Sequence, residues 1–499
     1  MTLSLIQKAE ELKARTGRLF IDGKWIDWNG EWFEQIQPAT NEVIAKFPEA
    51  GAEGVDMAVR AARRAFDEGS WSTMPAQDRK RFLQRIIDKM YQHAEELDAL
   101  QTLDNGTPFY MGRNSRMSAE AAAEVFEHYA GWCDKITGET YPQFSSVSNM
   151  HYLTVREPVG VVGAILAWNA PLRMFALKVA PALATGCTVI AKPSENTNMV
   201  ANRLAEIVAE CDLPPGVFNF VTGAGKTGSA LSAHPGVDKI SFTGSAAVGE
   251  RITAVSGTNM KRLSLELGGK SAGIVFPDVK DLKKAACYLM GVCSTFMSGQ
   301  ICSTPSRALV HKSLLDEFIE HATEQARSVS FGDPFAETTT SAPMITRRHL
   351  NTVREFINTG VAEGAKLLFG GETPKGELEN GNWINPALFI DVNNTMTIAR
   401  EEIFGPVLSV IPFETEEEAV RIANDSQYGL SGVVFTNDIN RAFRVSRCIR
   451  SGSVGINGYA SVANAPMGGV KRSGVGREGG WPAIEAFTEL KTITINFDF

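Results

Sequence analysis

From Pro158 onward, short apolar runs alternate with amphipathic stretches at a regular interval. Runs at 159–166 (VGVVGAIL), 187–192 (CTVIAK), 217–222 (VFNFVT) and 238–243 (DKISFT) read as strands, and the stretches at about 173–184, 198–211 and 226–233 between them as helices. Strands that are apolar on both faces belong to a parallel sheet covered by helices on each side. A second alternation begins near Ser264 and runs to about 457, with strands at 272–276, 307–311, 366–369, 407–412, 432–436 and 453–456. Two α/β units in series follow. Ahead of them, 20–47 reads as short strands with a turn at Asp22-Gly23, and 54–67 and 76–131 as helix, interrupted at Gly106-Thr107-Pro108. Two segments fit neither unit. Residues 134–157 are rich in Thr, Ser, Tyr and Val, and the tail 491–497 (KTITINF) alternates like a strand, so each needs a partner and the two are predicted to pair.

Composition narrows the class. A chain of 499 residues with 44% apolar and 21% charged side chains is large enough for two or three packed domains and is not a disordered one. The net charge of -8, with no long basic run, argues against a nucleic-acid partner. Seven cysteines, odd in number and without a C-x-x-C pair, predict neither a disulfide framework nor a zinc site, and no metal is expected. Residues 1–17 read as an amphipathic helix of mixed charge rather than a signal peptide, and no run is long enough to span a bilayer. The expected location is the cytoplasm.

Five local patterns bear on candidate chemistry. Residues 220–227 (FVTGAGKT) end like a phosphate-binding loop, but Phe220 stands where the first glycine is needed, so a turn before a helix is the better reading. At 242–249 (FTGSAAVG), Gly244 permits a tight turn and Ser245 can cap a helix whose exposed N–H groups suit phosphate oxygens. Gly249 would allow that helix to pack closely. Cys302, in the polar turn GQICSTPSR at 299–307, contrasts with Cys287 and Cys293, which sit at helical spacing among apolar residues. Glu266, between two leucines in LELGGK, is a carboxylate in apolar surroundings, where a raised pKa suits a general base. Each of these also has a plain structural reading. Asn169, in AWNAP, follows a strand at the end where ligands gather in open α/β sheets.

Taken together, PSE at 193–195, FTGS at 242–245, LELGGK at 265–270, GQIC at 299–302, EEIFGPV at 401–407 and GGVKRSGVGRE at 468–478 resemble the aldehyde dehydrogenase superfamily in order and spacing over almost the whole chain. The resemblance implies an NAD-dependent, hydrolytic enzyme that oxidises an aldehyde to its acid through a thioester. Cys302 would be the nucleophile and Glu266 the base that activates water. The Asn169 side chain and the Cys302 backbone N–H would form the oxyanion hole. Lys192 and Glu195 would meet the adenine ribose, and Trp168, Gly244 and Ser245 the cofactor phosphates. Glu402 would hold the nicotinamide ribose, with Phe404 nearby, and NAD is expected over NADP. Lys178 matches a lysine close to the site. The implied architecture is a Rossmann-like cofactor domain (1–133 and 157–266), an α/β catalytic domain (267–470) and a bridging β element (134–156 and 471–499). That element suits a homodimer or homotetramer.

Several positions depart from the family's pattern. Ala170, Leu177 and Met467 stand where aromatics are common, which predicts room for a branched, aromatic or medium-chain aldehyde. Met297 replaces the usual asparagine ahead of Cys302. Arg173 stands where an apolar residue is usual; the sequence favours a solvent-facing arginine over one that pairs with a semialdehyde carboxylate. Two rival functions are weighed: a coenzyme-A-acylating dehydrogenase, against which Glu266 counts, and an idle binding or structural homologue, against which Cys302, Glu266 and Asn169 together count.

Overall fold

The computed structural model describes residues 16–143 and 149–497. The expected N-terminal helix, and 144–148 of the Thr/Ser-rich segment, lie outside the described residues. Four sheets are present among them. In the first, five parallel strands run in the order Arg262–Glu266, Lys239–Thr243, Val161–Ile165, Thr188–Lys192, Phe218–Phe220. Antiparallel pairs extend it on both sides: Gly474–Val475 beside Arg262–Glu266, and Leu19–Ile21 beside Phe218–Phe220. The helices Pro171–Thr185, Asn198–Ala209, Gly225–Ala233 and Ala246–Ser256 connect the parallel strands. Every residue of Val161–Ile165 and Thr188–Lys192 is buried, because helices cover both faces.

The second sheet has seven strands. Lys366–Phe369 pairs antiparallel with Ala387–Ile390, and the rest run parallel through Val407–Phe413, Arg307–His311, Ala272–Val275, Ser431–Phe435 and Ser453–Ile456. Each of these two sheets packs against apolar clusters of its own, Val162 and Ile190 in those of the first and Leu309 and Val310 in those of the second. The long helical stretch at 76–131 is several helices, Ala76–Gln92, Ala94–Asn105, Phe109–Arg113 and Ala119–Ala130. One break falls at Gly106, whose left-handed φ of 72° ends a helix.

The two segments without a home pair with each other. Met150–Pro158 and Thr488–Asn496 form a nine-residue antiparallel ladder, with Thr140–Tyr141 on its other side. Leu490, Ile493 and Ile495 on this small sheet are exposed. Among the described residues, no helix is long and apolar enough to cross a membrane.

Candidate active site

After Val161–Ile165 the chain crosses to Thr188–Lys192 on one side, and after Lys239–Thr243 it crosses to Arg262–Glu266 on the other. The crossovers diverge where two neighbouring strands end, which leaves a crevice at their carboxyl ends. A cleft of about 960 Å³ opens there, lined by Trp168, Asn169, Lys192, Glu195, Gly244, Ser245, Glu266, Cys302, Glu402 and Phe404. These are the ten residues given catalytic or cofactor-binding roles above, drawn from both α/β units. Local chain geometry explains why they meet.

Cys302 follows the helix Leu282–Ser294 on a loop that holds Phe296, Ser298 and Gly299 in left-handed conformations, φ 58°, 52° and 71°. Two of these are not glycine, a strain of about 1 kcal/mol or more each that the surroundings must hold. The segment 340–345 holds it. Phe296 N–H donates to the Thr340 carbonyl (2.7 Å), the Ser298 hydroxyl bonds to Ser341 and to the Ala342 carbonyl, and Gln300 Nε2 donates to the Pro343 carbonyl (3.0 Å). Gly299 is required: a Cβ there would sit 2.3 Å from the Gly405 carbonyl oxygen. Asn169 Nδ2 donates to the Gln300 carbonyl (3.0 Å), which ties its amide to the same loop, and Asn105 Nδ2 holds the Asn169 carbonyl (3.2 Å). Burial pushes the Cys302 thiol up to about 12, and Glu402 and Glu266 add to the rise. The backbone N–H groups of Ser303 and Cys302 face the sulfur and oppose it. Because both carboxyls are themselves harder to ionise than usual, their share of the rise fades wherever they hold protons.

Glu266 ends its strand beside Thr243, 4% exposed, and neither carboxyl oxygen has a hydrogen-bond partner. Burial drives its pKa well above the usual carboxylate range, and nearby Glu478 adds to this against Lys178 and Arg477. Lys178 and Glu478 form a fully buried ion pair next to it, and the lysine also reaches Ser241. Gly468 approaches so closely that a Cβ would lie 2.5 Å from Glu266 Oε1. Glu402 accepts from the Gly269 N–H (3.0 Å), and a Cβ on Gly268 would lie 2.0 Å from Glu402 Oε2. Burial pushes Glu402 up to about 7, against the Gly269 N–H and Lys270. Gly268 of LELGGK thus makes room for the Glu402 carboxylate, and Gly269 supplies the N–H that it accepts from.

At the far end of the cleft Lys192 is buried, its Nζ donating to the Pro193 carbonyl (2.9 Å), while Glu195 is exposed. Ser245 occupies the N-cap of Ala246–Ser256, but its side chain makes no capping bond, contrary to the expectation from sequence. Ser245 lines the cleft instead. Gly249 packs against Leu267 as expected, where a Cβ would lie 2.7 Å away. Gly225 has no neighbour within 4 Å of a Cβ position, so a ligand can approach the backbone there. An open helix start, a free hydroxyl and a cleft of this size fit a dinucleotide. The Walker-like turn is a turn: Glu49 accepts from the Ala224 N–H (2.8 Å) and the Thr227 hydroxyl, filling the place of a phosphate, and Lys226 pairs with Glu31.

Three features were not legible in the sequence. His349 packs edge-on to Trp168 and its Nε2–H donates to the Phe404 carbonyl (2.7 Å), bracing the wall where the Trp168 and Phe404 ring centroids lie 5.5 Å apart. Arg173 is not solvent-facing; it is 5% exposed and bonds to the Arg116 carbonyl and the Ser461 hydroxyl. A second cavity of about 350 Å³ is walled by 453–455, 458–462 and 465–467. Of the three positions expected to create room, Met467 lines it, whereas Ala170 and Leu177 are buried in the core and line neither cavity. No sequence signal marks the wall residues as a group, because they join the strand Ser453–Ile456 to the irregular segments 458–462 and 465–467.

The aldehyde dehydrogenase family matches residues 25–493. The chain is 41% identical to retinal dehydrogenase 2 of Homo sapiens, over 97% of this chain and 92% of that protein. It is 42% identical to aldehyde dehydrogenase 1 of Tanacetum cinerariifolium, over 96% and 94%. Among solved structures it resembles betaine aldehyde dehydrogenase from Staphylococcus aureus in complex with NAD+, at TM-score 0.94 and 37% identity, covering 99% of this chain and 98% of that one. It also resembles the P. syringae indole-3-acetaldehyde dehydrogenase in complex with NAD+ and IAA, at TM-score 0.95 and 38% identity, covering 99% of each.

Proposed function

The chain belongs to the aldehyde dehydrogenase family and is an NAD-dependent enzyme that oxidises aldehydes, and from that premise we propose the roles its own residues play. Cys302 attacks the aldehyde carbon as a thiolate, the form its two facing N–H groups favour. The oxyanion that develops is held by the Asn169 amide and the Cys302 N–H; one donor of this kind contributes about 10²–10³ in rate. Bound NAD+ supplies the hydride acceptor for the thiohemiacetal on Cys302. Glu266 then takes a proton from water, and the hydroxide hydrolyses the Cys302 thioester to the acid. Lys192 and Glu195 would hold the adenine ribose, Trp168, Gly244 and Ser245 the phosphates, and Glu402 and Phe404 the nicotinamide ribose.

One observation supports this reading above the others: a nucleophile, an amide donor and an unpartnered carboxyl share the inner end of one cleft whose outer end is open to a dinucleotide. Hydrolysis is favoured over transfer to a thiol because Glu266 stands free to act on water. We further propose the cofactor, catalytic and bridging division at 133/134, 156/157, 266/267 and 470/471. Self-association into a homodimer or homotetramer would run through the exposed apolar sheet Thr488–Asn496. A cytoplasmic setting is proposed from the seven free cysteines. NADH formation with a panel of neutral, aromatic and charged aldehydes tests the activity. A stoichiometric acid product with no requirement for coenzyme A is expected; dependence on coenzyme A would refute the hydrolytic reading.

A further inference from the structure

Arg173 uses its hydrogen bonds but not its charge. It lies in the helix Pro171–Thr185, and its two bonds go to neutral acceptors: Nη1 to the Arg116 carbonyl (3.2 Å) and Nη2 to the Ser461 hydroxyl (3.1 Å). A neutral amide would bridge the same two groups. Among the described residues, no carboxylate forms an ion pair with Arg173. The charged groups that bear on it are Arg116, which repels it, and Glu478, which Lys178 already neutralises; Tyr459 and Tyr129 complete its surroundings. A buried cation without a counter-charge is unfavourable, and a guanidinium retains its charge under burial. The site calls for an anion.

Its position says which anion. Ser461 is part of the wall of the second cavity, and Tyr459 on the same wall lies within electrostatic reach of Cys302, Glu266 and Arg173. That wall ends at Met467, one residue before Gly468, which touches Glu266. Asn169 precedes the N-cap Ala170 of this helix, and Arg173 stands in the helix's first turn. A side chain on a helix leans toward the N-terminal turn, here toward Asn169.

We propose that Arg173, with Ser461, receives a carboxylate at the far end of the aldehyde, so that the substrates are aldehydes that carry a distal carboxylate. This rests on the reading of Cys302 and Asn169 as the reacting end. The planar guanidinium fork matches a carboxylate with two parallel bonds, and one of these replaces the Ser461 contact. No neutral aldehyde can use the charge.

The test compares kcat/KM for an ω-carboxy aldehyde with that for its methyl ester of the same length. The wild-type protein should prefer the acid by about tenfold or more, and Arg173→Leu should lower that preference by about 10- to 100-fold, chiefly through KM. Arg173→Lys should retain part of it. Since Arg173→Leu removes a buried bridge, a second measurement uses the wild-type protein alone: glutarate should slow alkylation of Cys302 and compete with the acid substrate. A wild-type preference for the ester, an equal fall for acid and ester in Arg173→Leu, or no protection by glutarate overturns the proposal. Absence of NADH with every aldehyde overturns the Cys302 reading instead, and this proposal with it.

Discussion

Replacing Glu266 by glutamine separates the two halves of the reaction. The carboxyl is 4% exposed and its oxygens have no partners, so the amide breaks no hydrogen bond. Both forms bury an unsatisfied polar group of similar size, and the variant's stability should stay within about 1 kcal/mol of wild type near neutrality. Function should change far more. Loss of a general base typically lowers the rate by about 10²–10⁴, equivalent to about 3–5 kcal/mol in the barrier. Acylation does not use this base in the proposed scheme, so mixing enzyme, NAD and aldehyde should still release about one NADH per active site in a fast phase. Steady turnover should then be slower by the factor above. Stopped-flow fluorescence of NADH reads both phases, and intact-mass analysis should find the acyl group on Cys302. Hydroxylamine, a nucleophile that needs no base, should restore turnover. A variant with no fast phase, or one that turns over at the wild-type rate, would refute the assignment of Glu266 to deacylation.

Glu402 supplies a pH test of stability. Its folded pKa, pushed up to about 7 from 4.5, means the folded state keeps a proton that the unfolded chain releases, so stability falls as pH rises from 4.5 through 7. The full shift corresponds to about 3 kcal/mol, and partial exposure trims that toward 2; Glu402→Gln should gain that much over wild type between pH 5 and pH 8 in urea unfolding, and a pH-independent difference would count against it. Cys302→Ala should abolish activity, while Cys293→Ala, in the core, should remain active and lose roughly 1–2 kcal/mol in the same assay. Mass-mapped alkylation should label Cys302 and the exposed Cys448, with aldehyde protecting the first alone. NAD should be preferred over NADP by about tenfold or more in kcat/KM, because Glu195 accepts bonds from ribose hydroxyls and repels a 2′-phosphate. Glu195→Gln should narrow that gap, and equal use of both cofactors by the wild type would show that Glu195 does not face the ribose.

The regular elements were largely legible in sequence because their signal is local. The strand expected at 187–192 is Thr188–Lys192, and those at 307–311 and 453–456 match to the residue. Buried parallel strands are continuous β-branched runs, and no distant partner is needed to see them. The strand Ala387–Ile390 was not distinguished, since four apolar residues after a proline carry no period of their own. The pairing of the tail with 150–158 was legible only as a need, two edges without partners; the register Thr488↔Pro158 is set by tertiary contact. At the site the motifs marked which residues matter but not their state. Glu266 became a candidate base through its sequence neighbours, yet its raised pKa depends on burial and on Glu478, more than two hundred residues away. The Lys178–Glu478 pair joins residues 300 apart, and the Arg173–Ser461 bond joins residues 288 apart. A one-dimensional pattern places Arg173 on a helix but cannot choose the face that meets solvent, because that choice belongs to whichever loop covers it. Burial, and with it the charge that Arg173 holds without a partner, is decided by the tertiary structure, which sets Arg116 and Ser461 against it.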